Sequence, residues 1–483
     1  MAVRANLSAQ RRQARIGATS AEAGSSGMGP LAKEGRARAV RWAGVGPWAT
    51  PGRRLSQIRL QGRGRRHRPQ PAIAAAGLVR MYRVSPFVRR FGRALIAGVL
   101  LATLWVNIAP GSYYDAMEYR LIELPKPVWL AGETLILSPV VVVADLLMAM
   151  FLFFAGKELW EALVLQRGAL SGRRALLPAG AVLGAMLGAM AAWLIHGAVF
   201  VSADWAPWGA GWPLPIGSEI VLGYVAGRLV LGPSHPALHL LLLISIATSI
   251  LGLLILGVAY PHAGLQLLWL LLPVAASVTV WRLFGRAPAG AATERERRRA
   301  MALWPYVVAG GASWIGVVAA GLPGALGLLP VIPAIPHADR AFGLFAEAEE
   351  YLNDPLNRLA HLLIRPVSVV LFLFGLTHGG IDFAALAPPT GTVLAALWIG
   401  KPIGLFAGAL LAARLFRVPL PAGIRLRDLV IVAALSGIGF TAPLLALDTA
   451  LPGGAMAEAA RLGFALSILA WPAAWLLARL LPR

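Results

Sequence analysis

Lys401 lies in the run Trp398-Ile399-Gly400-Lys401-Pro402-Ile403-Gly404, with 18 uncharged residues before it and 12 after it. Lysine is scarce in this chain: of its 44 Lys and Arg residues, four are Lys. A cation in mid-span costs roughly +2.5 to +3.5 kcal/mol on insertion scales, so its presence points to ion or proton movement. Glu219 has a similar setting. It follows Trp212-Pro213-Leu214-Pro215-Ile216-Gly217-Ser218 and precedes Ile220-Val221-Leu222. A carboxylate in such a place can attract a cation or carry a proton. The plain alternative is a structural partner for Arg228 or Lys401.

Other chemistries lack their residues. The chain has no cysteine, which excludes disulfides and thiolate metal sites. Its eight histidines form no H-E-x-x-H pair, and neither G-x-S-x-G nor a phosphate-binding G-x-x-x-x-G-K-[ST] occurs. No nucleophile–base pair is apparent, so an enzyme is not expected.

The elements that must position Lys401 and Glu219 are membrane helices. Hydrophobic residues make up 58% of the chain and charged residues 14%, with a mean hydropathy of +0.69. Soluble domains carry about 25% charged residues. Twelve apolar stretches follow one another at 94–110, 137–156, 175–201, 213–232, 236–259, 264–284, 302–319, 321–336, 362–379, 391–412, 428–446 and 461–481. Most can cross a hydrocarbon core of about 30 Å at about 1.5 Å per helical residue. The eighth is short and broken by Pro323, Pro330 and Pro333, which suits a helix shielded by protein.

Loop charge sets the orientation. With a cytoplasmic N-terminus, inside segments hold 23 of the 28 basic residues after residue 80, and outside loops hold three: Arg120, Lys126 and Arg461. Both ends are therefore expected in the cytoplasm. The segment 337–358 reads as an amphipathic surface helix or a plain connector on the same side.

Residues 1–80 differ from the rest. They hold 16 Lys/Arg and two Glu, a net +14 out of the total +22. Rich in Arg, Gly, Ala, Pro and Ser, they cannot bury enough apolar surface to offset chain entropy and are expected to be disordered. The basic run 62–68 suits an RNA or anionic-lipid tail, and the Arg-rich composition suits a transit peptide. Met81 as the true start is the expectation, with 81–483 as the folded domain.

Two spans are interrupted alike. Pro213, Pro215 and Gly217 precede Glu219 in the fourth, and Ser436-Gly437-Ile438-Gly439-Phe440-Thr441-Ala442-Pro443 lies in the eleventh. Such residues free backbone N–H and C=O groups, which a membrane tolerates only under protein or a wet cavity. Spans 4 and 11 are the middle members of the units 3–5 and 10–12, which start on opposite sides of the membrane. Paired breaks in inverted units point to a transport site at the midplane. Opposed half-helix ends would place partial charges there, which Glu219 and Lys401 could neutralise. The fold expected is all-α and polytopic, with twelve transmembrane helices, two inverted repeats and discontinuous helices 4 and 11.

With these residues in place, the chain from about Met81 onward resembles the NhaA-type sodium/proton antiporters. Gly-Lys-Pro-Ile-Gly at 400–404 and Ser-Gly-Ile-Gly-Phe-Thr at 436–441 match the family's span 10 and span 11 motifs. The run from Asp145 to Glu158 matches its second span, and Ile216-Gly217-Ser218-Glu219-Ile220 takes the place of its Ala-Thr-Asp-Ile. The resemblance implies a secondary antiporter of the bacterial inner membrane exchanging Na⁺ or Li⁺ for H⁺. It places Glu219 and Lys401 at the ion path with Ser218 beside them, makes Asp145 a distant second there and rather an interhelical hydrogen-bond group, and assigns pH response to Glu158 and His378. No cofactor or nucleic acid is implied; the lipid bilayer is a partner, and a homodimer stays open.

The departures bear on mechanism. The family's adjacent Asp pair in span 5 becomes Thr248-Ser249 or Ser249-Ile250, depending on a one-residue gap. The span 8 Gly-Val-His reads Gly321-Leu322-Pro323, and the Asn of its span 9 motif becomes His378. Ser and Thr hydroxyls offer oxygen to a cation but no charge to offset its desolvation. Two-proton exchange would then need Lys401 itself as a carrier. The alternatives are a diverged carrier on this scaffold that no longer exchanges Na⁺, or a sensor.

Overall fold

The computed structural model describes residues 87–125, 134–164, 172–201, 208–261, 264–285, 301–337, 354–421, 423–451 and 453–482. All belong to one compact unit, Pro69–Arg483. The expected disorder of residues 1–80 lies outside the described residues, as does most of the segment 337–358.

Each of the twelve apolar stretches forms helix. Among the described residues, eight helices are long and apolar enough to cross a membrane: Phe87–Ile108 (span 1), Pro139–Val164 (2), Gly172–Phe200 (3), Leu214–Leu231 (4), Ala237–Ala259 (5), Pro355–His378 (9), Pro388–Phe416 (10) and Ala455–Leu480 (12). Span 11 is a pair, Leu426–Ser436 and Thr441–Ala450, bent by 42° at its break. Spans 6, 7 and 8 are shorter: Leu267–Leu283, Trp304–Ala319 and Gly324–Ala334. Span 8 consists of two 3₁₀ turns with Pro333 inside the second, as its prolines dictate. Between spans 1 and 2, where the sequence shows only a polar break, the chain forms an antiparallel hairpin. Its strands are β1 (Ile122–Pro125) and β2 (Thr134–Leu137), with Ile122 opposite Leu137. Neither strand has the length or alternation that would announce it.

Spans 3 and 10 touch through backbone. A Cβ built on Gly184 would lie 2.1 Å from the Gly404 carbonyl oxygen, and one built on Gly404 would lie 2.1 Å from that of Gly184. Gly188 meets Gly400 and Gly180 meets Gly408 in the same reciprocal way, so the helices run antiparallel. Glycines four residues apart on both helices permit this approach. The reciprocity is what a two-fold relation between the inverted units 3–5 and 10–12 produces at its axis.

Two spans carry wide turns at chemically singular residues. Val142–Leu147 is π-helical and contains Asp145; Ala396–Gly400 is π-helical and delivers the chain to Lys401. Such insertions redirect side chains that a regular helix would place elsewhere, and they cluster at functional positions.

Candidate functional site

The break in span 4 leaves a 3₁₀ turn, Leu214–Ile216, then extended chain, then the helix Val221–Leu231. Span 11 repeats the plan with Leu426–Ser436, a break, and Thr441–Ala450. The two breaks meet and bond directly: the Glu219 N–H donates to the Ile438 carbonyl at 2.8 Å.

Glu219 is buried and joins both outgoing half-helices. Its Oε1 accepts from the N–H groups of Val221 at 3.1 Å and Leu222 at 3.3 Å, the first turn of its own helix. Its Oε2 accepts from the Thr441 N–H at 2.8 Å and the Thr441 hydroxyl at 2.5 Å, the first residue of the span 11 helix. Each helix N-terminus acts as roughly half a positive charge. Two of them meet one carboxylate, so the backbone itself balances the charge.

Lys401 is fully buried, and its Nζ donates to the Pro215 carbonyl at 2.9 Å and the Gly217 carbonyl at 2.5 Å. Pro and Gly are why those oxygens are free: neither sits in a regular helix, and the chain turns extended at Gly217. Lys401 and Glu219 are therefore held by separate groups: the carbonyls of Pro215 and Gly217 for the one, donors on Val221, Leu222 and Thr441 for the other. The alternative of Glu219 as partner of Arg228 or Lys401 is not met, since neither Glu219 nor Lys401 joins an ion pair among the described residues.

Span 5 reaches the same crossing. Thr248 and Ser249 are both fully buried. The Ser249 hydroxyl lies 2.7 Å from the Ser218 carbonyl and 2.7 Å from that of Ser245. Thr248 Oγ1 lies 3.2 Å from Ser218 Oγ, and Ser218 Oγ donates to the Ser436 carbonyl at 3.3 Å. In the second unit, Ser467 Oγ of span 12 accepts from the Gly439 N–H at 3.0 Å and lies 3.1 Å from the Gly439 carbonyl and 2.6 Å from that of Phe464. Each unit thus sends a hydroxyl from its third span into the break of its middle span. A small cavity beside the crossing is lined by Ser218, Ser249 and Thr441 together with Met148, Phe151 and Leu445.

The structure does not bring the other residues named from sequence to this point. Asp145 faces spans 7 and 8: its Oδ1 accepts from the Gly324 N–H at 3.0 Å, and its carbonyl accepts from Trp314 Nε1 at 2.7 Å. A carboxylate here caps the first turn of span 8. Glu158 lies near the C-terminal end of span 2, 3.6 Å from His239 and next to the buried pair Lys157–Glu161 at 3.1 Å. His378 lies at the C-terminal end of span 9, stacked on Phe374 at 4.8 Å and 2.7 Å from the Thr377 hydroxyl. Spans 2 and 9 run antiparallel: Phe153 shares one apolar cluster with Leu356 and Leu359, whereas Val140 and Leu376 both pack on another, around Val106 and Tyr113. Glu158 and His378 therefore sit near opposite ends of the molecule and form no common cluster.

Sequence does not single out Thr441 and Ser467 as site residues. Thr441 stands at the end of the span 11 motif, where a hydroxyl opening a half-helix is the available signal. Ser467 is a lone hydroxyl in an apolar span. The reciprocal glycines Gly180, Gly184 and Gly188 against Gly400, Gly404 and Gly408 are legible as a four-residue repeat.

Comparison with known proteins agrees with this geometry. Residues 89–477 match the family model described as Na+/H+ antiporter 1. The Na(+)/H(+) antiporter NhaA of Jannaschia sp. (strain CCS1) is 39% identical over 396 residues, covering 79% of this chain and 94% of the relative. The Na(+)/H(+) antiporter NhaA of Geotalea uraniireducens (strain Rf4) is 33% identical over 396 residues, covering 82% and 96%. The Na(+)/H(+) antiporter NhaA 2 of Pelobacter propionicus is 32% identical over 400 residues, covering 82% and 97%. The chain, a polytopic helical membrane protein, belongs to the Na+/H+ antiporter 1 family.

Proposed function

We propose that this protein is a secondary transporter exchanging Na⁺ for H⁺, with the crossing of spans 4 and 11 as its transport site. One observation supports the site above the rest: Glu219 and Lys401, each fully enclosed, both bond the interrupted backbone of span 4. A bare Na⁺ needs several oxygens to replace its water. The hydroxyls of Ser218, Thr248, Ser249 and Thr441, with the free carbonyls of the break, supply uncharged ones, and Glu219 supplies the negative field.

Na⁺ beside protonated Lys401 would put two positive charges in one low-dielectric site, so cation and proton occupy it in alternation. Glu219 keeps the two half-helices joined while this happens. The pattern of loop charge supports a bacterial inner membrane location with both ends in the cytoplasm. Residues 1–80 serve no role in transport on this reading. Li⁺ is accepted with Na⁺, because hydroxyl and carbonyl oxygens suit either hard cation.

The test is cation-driven pH change in everted vesicles or proteoliposomes, over a roughly neutral to alkaline range. Na⁺-dependent proton movement in the parent, lost in Glu219→Gln, is the expected result. A protein that inserts normally yet moves no protons with Na⁺ or Li⁺ would instead be a diverged carrier on this scaffold.

A further inference from the structure

Spans 3 and 10 leave a groove on the side turned away from the protein. Leu183 and Leu187 on span 3 are 58% and 64% exposed, and Ile403 and Leu411 on span 10 are 64% and 67% exposed. On the opposite side of the same contact, Ala181, Ala185, Leu405 and Ala409 are buried. Because the glycine contacts are reciprocal, Leu183 (just before Gly184) and Ile403 (just before Gly404) fall on one common face. The strip between these two apolar ridges is floored by backbone, which leaves room for a chain of methylenes.

One end of this groove is basic. Gly180 packs on Gly408 and Ala412, so the start of span 3 adjoins the end of span 10. Arg173 and Arg174 stand in the turn leading into span 3, Arg414 in the last turn of span 10, and Arg417 just past it. Arg173 Nη2 donates to the Phe416 carbonyl at 3.5 Å, which fixes the two ends side by side. Arg417 caps span 10 at φ 52°, a left-handed conformation that non-glycine residues seldom adopt. None of these four guanidinium groups has an ion pair among the described residues. The sequence holds no acidic residue between Glu161 and Asp204, nor between Asp382 and Asp428.

From this geometry we infer a site for an anionic phospholipid, its phosphate against Arg173, Arg174, Arg414 and Arg417 and an acyl chain along the glycine-floored groove. Loop charge that only orients the protein needs no apolar groove beneath it and no clustering at one helix pair. Here the charge and the groove coincide on span 10, which carries Lys401, and on span 3, which packs against it. Guanidinium forks suit phosphate oxygens, and exposed apolar ridges suit lipid tails. A lipid seated there would tie span 3 to span 10 and stiffen the helix that carries Lys401.

The test compares thermal unfolding of the delipidated protein in neutral detergent with phosphatidylglycerol, phosphatidylcholine or inorganic phosphate added, and counts bound lipid by native mass spectrometry. Phosphatidylglycerol should stabilise the parent, whereas phosphatidylcholine and free phosphate should not. The double variant Arg173→Gln/Arg414→Gln should bind phosphatidylglycerol about 30-fold more weakly, the effect of two surface guanidiniums at about fivefold apiece. Arg173→Lys/Arg414→Lys should retain most of the binding. Arg89→Gln/Arg90→Gln, which removes equal charge beside span 1, should behave as the parent. The inference fails if the Gln pair keeps parental lipid binding, if the span 1 control loses as much, or if phosphate alone reproduces the stabilisation. Should the Gln pair not fold, equal binding of phosphatidylglycerol and phosphatidylcholine by the parent would overturn it as well.

Discussion

Glu219 and Thr441, 222 residues apart in sequence, are joined by two hydrogen bonds to a single carboxylate oxygen, 2.8 Å from the Thr441 N–H and 2.5 Å from its hydroxyl. The other oxygen caps the half-helix of span 4. One side chain thus closes two helix ends belonging to two different repeats. Its role is at once electrostatic and mechanical, and substitutions there should show both effects.

Glu219→Gln keeps size but offers one acceptor oxygen to four donors. Two of them would face an amide N–H₂ group, at about 1–3 kcal/mol for each orphaned donor. The variant should insert, lose exchange, and unfold at lower temperature in detergent. Thr441→Val, which removes one donor and leaves the N–H in place, should be milder in both. Parental exchange by Glu219→Gln in vesicles would remove Glu219 from the site.

Lys401→Ala would strip the Pro215 and Gly217 carbonyls of their donor and leave a void in the crossing. A loss of thermal stability of about 2–5 kcal/mol follows from the truncated side chain and the orphaned acceptors. Lys401→Arg keeps a positive donor but cannot release its proton. It should therefore be well folded and fail in proton coupling, measured as Na⁺ uptake against pH change in the same proteoliposomes. Full coupling in the Arg variant would show that Lys401 is not the proton carrier.

Ser249→Asp puts a carboxylate where a hydroxyl now lies 2.7 Å from both the Ser218 and the Ser245 carbonyl. In the empty state it would face acceptors, so some stability should be lost. A cation relieves that repulsion, and apparent affinity for Na⁺ and Li⁺ should rise. Concentration dependence of cation-driven pH change gives the affinity. An unchanged or weaker cation response would place Ser249 outside the ion path.

Gly184→Ala tests the backbone contact of spans 3 and 10. The added methyl would meet the Gly404 oxygen at 2.1 Å, and backbone cannot swing aside as a long side chain can. The helices must separate, and Lys401 moves with span 10. Marked loss of stability and exchange is expected, whereas Gly111→Ala, with nothing near its Cβ, should be silent in both. A silent Gly184→Ala would mean that the two helices tolerate a wider spacing.

A chain beginning at Met81 should insert and exchange as the full chain does. Arg83, Arg89, Arg90 and Arg93 remain to orient span 1. Glycosylation or cysteine-accessibility mapping of the loops, beside the vesicle assay, would reveal any loss of insertion or activity.

Much of this architecture is legible in the amino-acid sequence. Uninterrupted apolar runs of about 20 residues read as membrane helices, because a helix bonds its whole backbone within one run and a barrel strand is about half that long. Proline and glycine mark the two breaks, and Lys401 and Glu219 stand out because charge in hydrocarbon is expensive. Sequence does not say which groups those charges meet. Periodicity carries no information about a partner 222 residues away. Glu219 and Lys401 look like a pair by sign, yet each is held by backbone that the breaks expose. Asp145 carries the same signal of cost as Glu219, but span 2 turns it toward Gly324 and Trp314. Thr248 and Ser249 look like mere losses, and the fold places them against Ser218 at the crossing. Composition and spacing determine that a buried polar group must find a partner; only the packing of one helix on another decides which partner it finds.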